Sequence, residues 1–199
     1  MLDKSVPYVD ICMRRDPGTP NPVCALPPGY RFSYYAPGDE KEWARIETSV
    51  LEFDGEMDAL LYFQNAFLPY GPELPLRMFF VETDDGEKQE KIATATAWWA
   101  YTGPRRDPMV HWVAVKPAHQ GLGIGKALIA RVVDRMIEIE GDRVFYLHTQ
   151  TWSHRAVRLY QRAGFCITDE KNIQGCANTR TAEAAAILKA LGEGNRRGA

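Results

Sequence analysis

The chain has 199 residues, 45% of them hydrophobic, which is enough to bury the core of one ordinary α/β domain with length left over for terminal segments. The formal net charge of −2 gives no bulk attraction to nucleic acid or to an anionic membrane, so we predict neither as a partner. The four cysteines form no CxxC pair and have no histidine at zinc-finger spacing, which predicts reduced thiols and no metal site. Because the sequence has no apolar run typical of a signal peptide or a membrane span, we expect a soluble, cytoplasmic protein.

Three regions are predicted along the chain. Residues 1–28 contain six prolines and little periodicity, which predicts an extended arm that is laid over the domain or left mobile, outside the core. Residues 29–180 contain the periodic strand and helix patterns and are predicted to form the main domain. Residues 181–199 are predicted to form an alanine-rich C-terminal helix followed by a polar, frayed tail.

The main domain is predicted to begin with one strand and two short helices. The strand is Tyr30–Tyr35, and Asp39 with Glu42 has the spacing of a capping box that opens the first helix. The second helix is predicted to run from about Glu56 to Leu68 and to bury a loose apolar stripe. The stripe comprises Met57, Leu60, Leu61 and Phe67.

Two strand pairs are predicted to follow. Strands at 76–82 and 92–99 should pair antiparallel, joined by a hairpin connection that contains Asp84-Asp85-Gly86. Strands at 110–115 and 144–149 flank a long amphipathic helix in a βαβ unit, and such strands run parallel. The pattern therefore indicates a mixed sheet with helices packed on it.

The turn between the 110–115 strand and the long helix is rich in glycine. Its glycines are Gly121, Gly123 and Gly125. The first N–H groups of a helix have no internal partner and lie at the positive end of its dipole, so this turn predicts an anion site. The turn does not match the dinucleotide-binding motif GxGxxG, because Lys126 stands where the third glycine is needed. It does not match a P-loop either, because Gln120 replaces the first glycine and Ala127 replaces the serine or threonine.

Two motifs in order carry a more specific resemblance. The first is Val-x-Pro-x-x-Gln-Gly-x-Gly-x-Gly at 115–125, and the second is Ser-His-Arg-Ala-Val-Arg-Leu-Tyr-Gln-Arg-Ala-Gly-Phe at 153–165. With both, the chain resembles the GNAT superfamily of acyl-CoA-dependent N-acetyltransferases, most specifically over residues 110–165. The resemblance implies an α/β GNAT fold, in which a mixed central sheet with a splayed parallel strand pair is flanked by helices. It also implies that residues 29–180 are the acetyltransferase domain.

The resemblance implies acetyl-CoA (coenzyme A) as the cofactor. The amides of the glycine turn are expected to hold its pyrophosphate, and the backbone of the preceding strand is expected to pair with its pantetheine arm. The implied binding residues are Val113, Val115, Gln120, Gly121, Leu122, Gly123, Ile124, Gly125, Lys126 and Ser153. Ser153 stands where the family usually has asparagine, so we favour a helix N-cap there, with weaker cofactor binding as the alternative.

Two residues are predicted to carry the proton transfers. Tyr160 occupies the tyrosine position of the family's Leu-Tyr pair, which implies a general acid for the departing thiolate; the alternative is a packed helical tyrosine. His111 is the leading base candidate, because strict alternation puts it on the same strand face as Val113 and Val115. A base that works through a water chain and an ordinary strand histidine are the alternatives.

Other polar residues receive less specific interpretations. Glu47 is interpreted as part of a solvated helix face, with recognition of an ammonium group as the alternative. His148 is expected in the core or in the wall of the cleft, whereas His119 and His154 are expected at the surface.

The favoured function is direct acetyl transfer from acetyl-CoA to a primary amine of a small molecule or a peptide. Two alternatives stay open: a non-catalytic acyl-CoA-binding sensor, and a protein N-terminal or lysine acetyltransferase. The sequence leaves the acceptor open, as it does the oligomeric state, for which a homodimer is one option.

Overall fold

The computed structural model describes residues 2–84 and 89–194, and a mixed β-sheet organises this part of the chain. Met1, the Asp85-Gly86 part of the predicted hairpin connection and the tail from residue 195 lie outside the described residues. The strands are β1 (Asp10–Arg15), β2 (Tyr30–Tyr34), β3 (Met78–Thr83), β4 (Lys91–Thr102), β5 (Arg105–Val115), β6 (Phe145–Gln150) and β7 (Cys166–Ile167). The helices are α1 (Glu40–Ser49), α2 (Glu56–Ala66), α3 (Leu74–Arg77), α4 (Ile124–Glu140), α5 (His154–Arg162) and α6 (Thr181–Gly194).

The strands lie in the order β2-β3-β4-β5-β6-β1-β7. The pair β5 and β6 is parallel and the other neighbouring pairs are antiparallel, which confirms the predicted mixed sheet and βαβ unit. Among the described residues, β5 and β6 pair at Met109 and Tyr146. No further pairing between them is present towards the C-terminal end of β5, so the sheet is open there.

Helices cover both faces of the sheet. On one face, α4 buries Leu128, Val132 and Met136 against the side chains of β3, β4 and β5, as its helical periodicity predicts. On the other face, α1 and α2 contribute a second core around Trp43 and Phe63, whose ring centroids are 5.3 Å apart. Burial of these apolar surfaces is the main favourable term that holds the layers together.

The N-terminal segment contains a strand that the sequence analysis did not anticipate. Residues 1–28 were predicted to be an extended arm, but Asp10–Arg15 is β1, hydrogen-bonded between β6 and β7. Its side chains alternate, and Ile11 and Met13 are almost completely buried in the core. The surrounding prolines hid this short alternating run, whose partners are about 130 residues away in the sequence.

One local prediction for the first helices is wrong and another holds only in part. Asp39 precedes α1, but its carboxylate accepts a hydrogen bond from the Ala36 amide at 2.8 Å rather than capping the helix. Of the stripe predicted for the second helix, Phe67 is buried and Leu60 packs against the second core, but Met57 and Leu61 are exposed. Apolar residues surround this helix on several sides, so packing against α1 selects the buried face and periodicity alone does not.

A β-bulge in β5 changes which residues share a face. Thr94 of β4 pairs with Ala114 and Thr96 pairs with His111, so an extra residue is inserted in β5. Trp112 lies at the bulge with a φ of +50°, in the left-handed region. An extra residue shifts the alternation of side chains by one position beyond the bulge.

Candidate active site

The glycine turn has the geometry of an anion site. Gly121 and Gly123 have φ angles of +83° and +89°, which glycine adopts without the steric cost paid by other residues. Gly123 is the N-cap of α4, so the turn presents the first free amides of a 17-residue helix. The first turn of α4 contains no acidic residue and does contain Lys126, so its charge also favours an anion.

A cleft of about 400 Å³ leads from this turn to α5. It brings together most of the residues that the sequence analysis selected: Val113, Val115, Gln120, Gly121, Gly123, Gly125, Lys126, Ser153 and Tyr160. The cleft lies where β5 and β6 have separated, so the end of β5 forms one wall and α5 forms another.

Two predicted binding residues do not line the cleft with their side chains, and a third, Gly125, also has a packing role. Leu122 and Ile124 do not line the cleft: Leu122 is exposed, and Ile124 is buried in the core under α4. Only their backbone amides are suited to hold an anion. Gly125 lines the cleft, and a Cβ there would lie 3.3 Å from Leu159 Cδ1, so glycine at this position also allows α4 to approach α5.

Gln120 and Ser153 have contacts that the motifs did not predict. The Gln120 Nε2 group donates a hydrogen bond of 2.8 Å to the Val115 carbonyl, which ties the turn to the end of β5. Ser153 is at the N-cap position of α5, but its side chain makes no cap hydrogen bond. The predicted N-cap position is therefore confirmed, but the side chain does not cap the helix, and Ser153 lies in the wall of the cleft.

Tyr160 lies on α5 and reaches the cleft from the protein interior. Only 7% of the residue is exposed, and it packs into the same core as Phe165, whose ring centroid is 6.2 Å away. Burial raises the pKa of the phenol well above its ordinary value, and the charges of Glu52 and Glu47 raise it further. The hydroxyl is therefore fully protonated at neutral pH and is a proton donor.

His111 lies on a different face from the one that was predicted. Strict alternation put it beside Val113 and Val115, but the bulge at Trp112 places His111 towards the aromatic core, with Phe67 at 6.1 Å and Trp112 at 5.6 Å between ring centroids. Val113 and Val115 instead line the cleft and pack at the edge of the core that contains α4. Burial, followed by the charge of His148, lowers the pKa of His111 to about 4, so the imidazole is neutral at neutral pH.

Several polar groups between α1 and the sheet are buried without a partner. The Nδ1 atom of His111, the Nε2 atom of His148 and the Oε1 atom of Glu47 make no hydrogen bond with the described part of the chain. His148 is half-buried and is not among the residues that line the cleft, and burial lowers its pKa. Such groups are costly unless they are satisfied by water or by a ligand.

Glu47 is not on a solvated helix face. The residue is 1% exposed on the inner side of α1, so the favoured interpretation from sequence is wrong. Burial and then the charge of Glu52 raise its pKa well above the ordinary value. Burial raises the pKa of Tyr62 and of Tyr160, and the charge of Glu47 adds to both increases.

Glu52 is the site residue that the sequence analysis missed. It follows α1 and lines the cleft together with Tyr160. Burial raises its pKa, and a side-chain hydrogen bond with Gln150 at the end of β6 lowers it again in part. The preceding residue, Leu51, has a φ of +70°, which is unusual without glycine. The sequence did not indicate this role, because Glu52 lies between the end of α1 and the turn at Asp54-Gly55. A carboxyl group at such a position is usually exposed to solvent.

His119 and His154 were expected at the surface, but both are partly buried. The His119 Nδ1 atom lies 2.9 Å from the Tyr30 hydroxyl, and the His154 Nε2 atom lies 3.3 Å from Asp3 Oδ2. The second contact helps to fasten the N-terminal segment beside α5. Leu2 of that segment also lines the cleft, so the segment contributes to the site.

The family of the chain can be decided from comparisons with known proteins. The model of the acetyltransferase (GNAT) family matches residues 41–165, which is more than half of the chain. The chain belongs to the GNAT family of acetyltransferases. The match supports acyl-CoA-dependent acetyl transfer in general, and acetyl-CoA is the donor that members of this family generally use.

Solved structures agree on the fold. A GCN5-related N-acetyltransferase from Sphaerobacter thermophilus has a TM-score of 0.63 at 21% identity, covering 82% of this chain and 49% of that one. A predicted acetyltransferase from Clostridium acetobutylicum, solved with acetyl-CoA, has a TM-score of 0.53 at 18% identity, covering 71% of this chain and 92% of that one. At these identities, the two structures show that the fold is shared and nothing more.

A curated relative adds little beyond this. An uncharacterized protein of Mycobacterium leprae is 36% identical over 56 residues, which is 28% of this chain and 14% of that protein. The chain thus spans a small part of this relative and about half of the Sphaerobacter protein. Among the described helices, none is long and apolar enough to cross a membrane.

Proposed function

We propose that this GNAT protein is an acetyl-CoA-dependent N-acetyltransferase that transfers the acetyl group directly to a primary amine. The observation that carries the proposal is a single cleft with an anion-binding helix N-terminus at one end and a protonated tyrosine at the other. A bound acetyl-CoA would supply an activated acetyl thioester. No cysteine lies among the cleft residues of the described chain, which supports direct transfer without an acyl-enzyme.

The residues of the glycine turn fit a pyrophosphate. The left-handed glycines leave the amides of the turn open, with no described atom within 4 Å of the position of a Cβ at Gly121 or Gly123. A phosphate is able to approach such a backbone closely and to accept several N–H groups at once. Lys126 adds a positive charge on the same side, and its position in the cleft supports the same assignment.

The end of β5 fits an amide-bearing arm. Val113 and Val115 face the cleft where β6 has moved away, so the edge of β5 is free to pair with an extended ligand. A protein of the same fold from Clostridium acetobutylicum was solved with acetyl-CoA, which supports acetyl-CoA as the ligand. Tyr160 is then at the inner end, where its hydroxyl would donate a proton to the departing sulfur.

His111 is one candidate for the group that accepts the proton of the amine, but its buried position weakens it as a base. Its pKa of about 4 makes it neutral and also a weak base at neutral pH. His111 is not among the residues that line the cleft, so it would have to act through water. Glu52 lines the cleft directly and competes for this role.

The proposal is tested by a screen of acceptors with acetyl-CoA. Release of free thiol is followed with small primary amines, amino acids and peptides, and each product is identified by mass. Small amines are expected to give acetylated products, whereas activity restricted to peptides would favour a protein acetyltransferase. Binding of coenzyme A without amine-dependent thiol release would contradict the proposal and favour a sensor.

A further inference from the structure

A second cavity adjoins the proposed acetyl-CoA cleft. It has a volume of about 480 Å³ and lies between the N-terminal segment and the chain that connects α1 with α2. Leu2 and Glu52 line both this cavity and the cleft, so the two spaces meet at these residues. A group bound in the second cavity would therefore reach the inner end of the cleft past Glu52.

The position of Glu52 at this junction is tightly determined. Its amide donates a hydrogen bond of 3.2 Å to the Glu47 carbonyl, and its side chain is bonded to Gln150 of β6. Leu51, immediately before it, is in the left-handed region at a φ of +70°. For a leucine this conformation costs roughly 1–2 kcal/mol, and such strained residues cluster at functional sites.

We propose that Glu52 takes the proton of the acceptor amine and that the second cavity is the acceptor site, which receives an amine carrying a further positive charge. This inference rests on the proposed N-acetyltransferase function and names its base and its substrate class. Glu52 lines the cleft together with Tyr160, and burial raises its pKa, while the hydrogen bond to Gln150 and the charge of Lys4 oppose this rise.

The lining of the second cavity supports a cationic acceptor. Besides Glu52, it contains the carboxyl groups of Asp54 and Asp58, neither of which makes a salt bridge within residues 2–84 and 89–194. The opposite wall contains Trp152, and the ammonium group of Lys4 already lies 5.5 Å from the centroid of its ring. An indole face attracts a cation in this way, so the wall accepts an ammonium group.

The reaction balances with these groups. An acceptor that arrives as an ammonium ion gives one proton to the Glu52 carboxylate, which passes it to solvent. As the C–N bond to the acetyl carbon forms and the C–S bond breaks, Tyr160 gives its proton to the sulfur. The nitrogen releases its second proton, which restores Tyr160 through solvent. The sum is an amide, a thiol and one proton.

The test compares Glu52→Gln with the wild-type protein, using acetyl-CoA with 1,4-diaminobutane or butylamine. Loss of the base should lower kcat by about 10²-fold or more and remove the rise of kcat/KM with pH through the pKa of Glu52. The Kd for coenzyme A should change less than about twofold, and measuring it also verifies folding. Glu56→Gln is the matched control, because Glu56 is exposed, lies outside both cavities and pairs with Arg45.

Two further variants test the acceptor site without removing the base. Asp54→Asn should raise the KM for 1,4-diaminobutane several-fold and leave the KM for butylamine unchanged, whereas Lys4→Met should lower the KM for the diamine. If Glu52→Gln keeps the wild-type kcat and the same rise of kcat/KM with pH, Glu52 is not the base. Equal effects of these two variants on both amines would overturn the cationic site. A wild-type protein inactive with every amine would overturn the proposed function itself.

Discussion

The carboxyl group of Glu52 and the hydroxyl group of Tyr160 line the same cleft. Burial is the main cause of the raised pKa of Tyr160, and the charge of Glu52 raises it further. A carboxyl group and a phenol with raised pKa values are suited to opposite tasks at neutral pH. The carboxylate accepts a proton and the phenol donates one. In the proposed reaction they would together supply both proton transfers that acetylation of an amine requires.

Tyr160→Phe is expected to lower kcat by about 10²-fold, because the ring remains and only the proton donor is lost. Within residues 2–84 and 89–194, the hydroxyl makes no hydrogen bond whose loss would disturb the fold, and Phe165 still packs against the ring. The measurement is steady-state thiol release, together with a titration of coenzyme A. Unchanged kcat would refute the role of acid, while weakened coenzyme A binding alone would indicate a packing role.

Gly123→Asp is expected to lower the affinity for coenzyme A by at least about tenfold, through repulsion of the phosphates and a left-handed strain of roughly 1–2 kcal/mol. Gly141→Asp is the control and carries at least as much backbone strain, because Gly141 has a φ of +73° and a ψ of 167° and caps the other end of α4. Calorimetric titration should show normal affinity in the control despite lower stability. Equal affinity in both variants would remove the turn from the phosphate site.

Glu47 is expected to make stability fall as the pH rises. Its pKa is raised by burial, so the folded protein holds this proton more tightly than the unfolded chain. The benefit is complete below the ordinary pKa of about 4.5 and is lost progressively as the pH rises through the folded pKa. Glu47→Gln should therefore gain stability relative to the wild type between pH 5 and pH 8 in urea unfolding. If the difference in unfolding free energy between the variant and the wild type does not change with pH, the pKa of Glu47 is not raised.

Leu51 offers a test of the strained connection after α1. Glycine accepts a φ of +70° freely, whereas a β-branched residue does so with greater strain than leucine. Leu51→Gly is expected to be more stable than Leu51→Val by about 1 kcal/mol or more in urea unfolding. If the two variants unfold at the same urea concentration, the connection is not strained.

Local features of the sequence predicted much of the fold, whereas long-range packing determined the rest. The glycine turn, α4 and the Tyr160 helix were predictable because each motif lies within a few consecutive residues. The face of His111 was not, because one inserted residue at Trp112 shifts the alternation. The burial of Glu47 and the inward position of Glu52 depend on contacts between α1 and the sheet, and β1 depends on a partner strand far along the chain.

The central claim is direct transfer of an acetyl group to an amine, and a labelling experiment tests it most directly. The purified protein is mixed with acetyl-CoA labelled in the acetyl group and with the best amine from the screen, and the label is followed in protein, amine and solvent. We expect the label to appear in the amine in equal amount to the free thiol, with none bound covalently to the protein. Label retained on the protein, or thiol release with free acetate and no acetylated amine, would contradict the account.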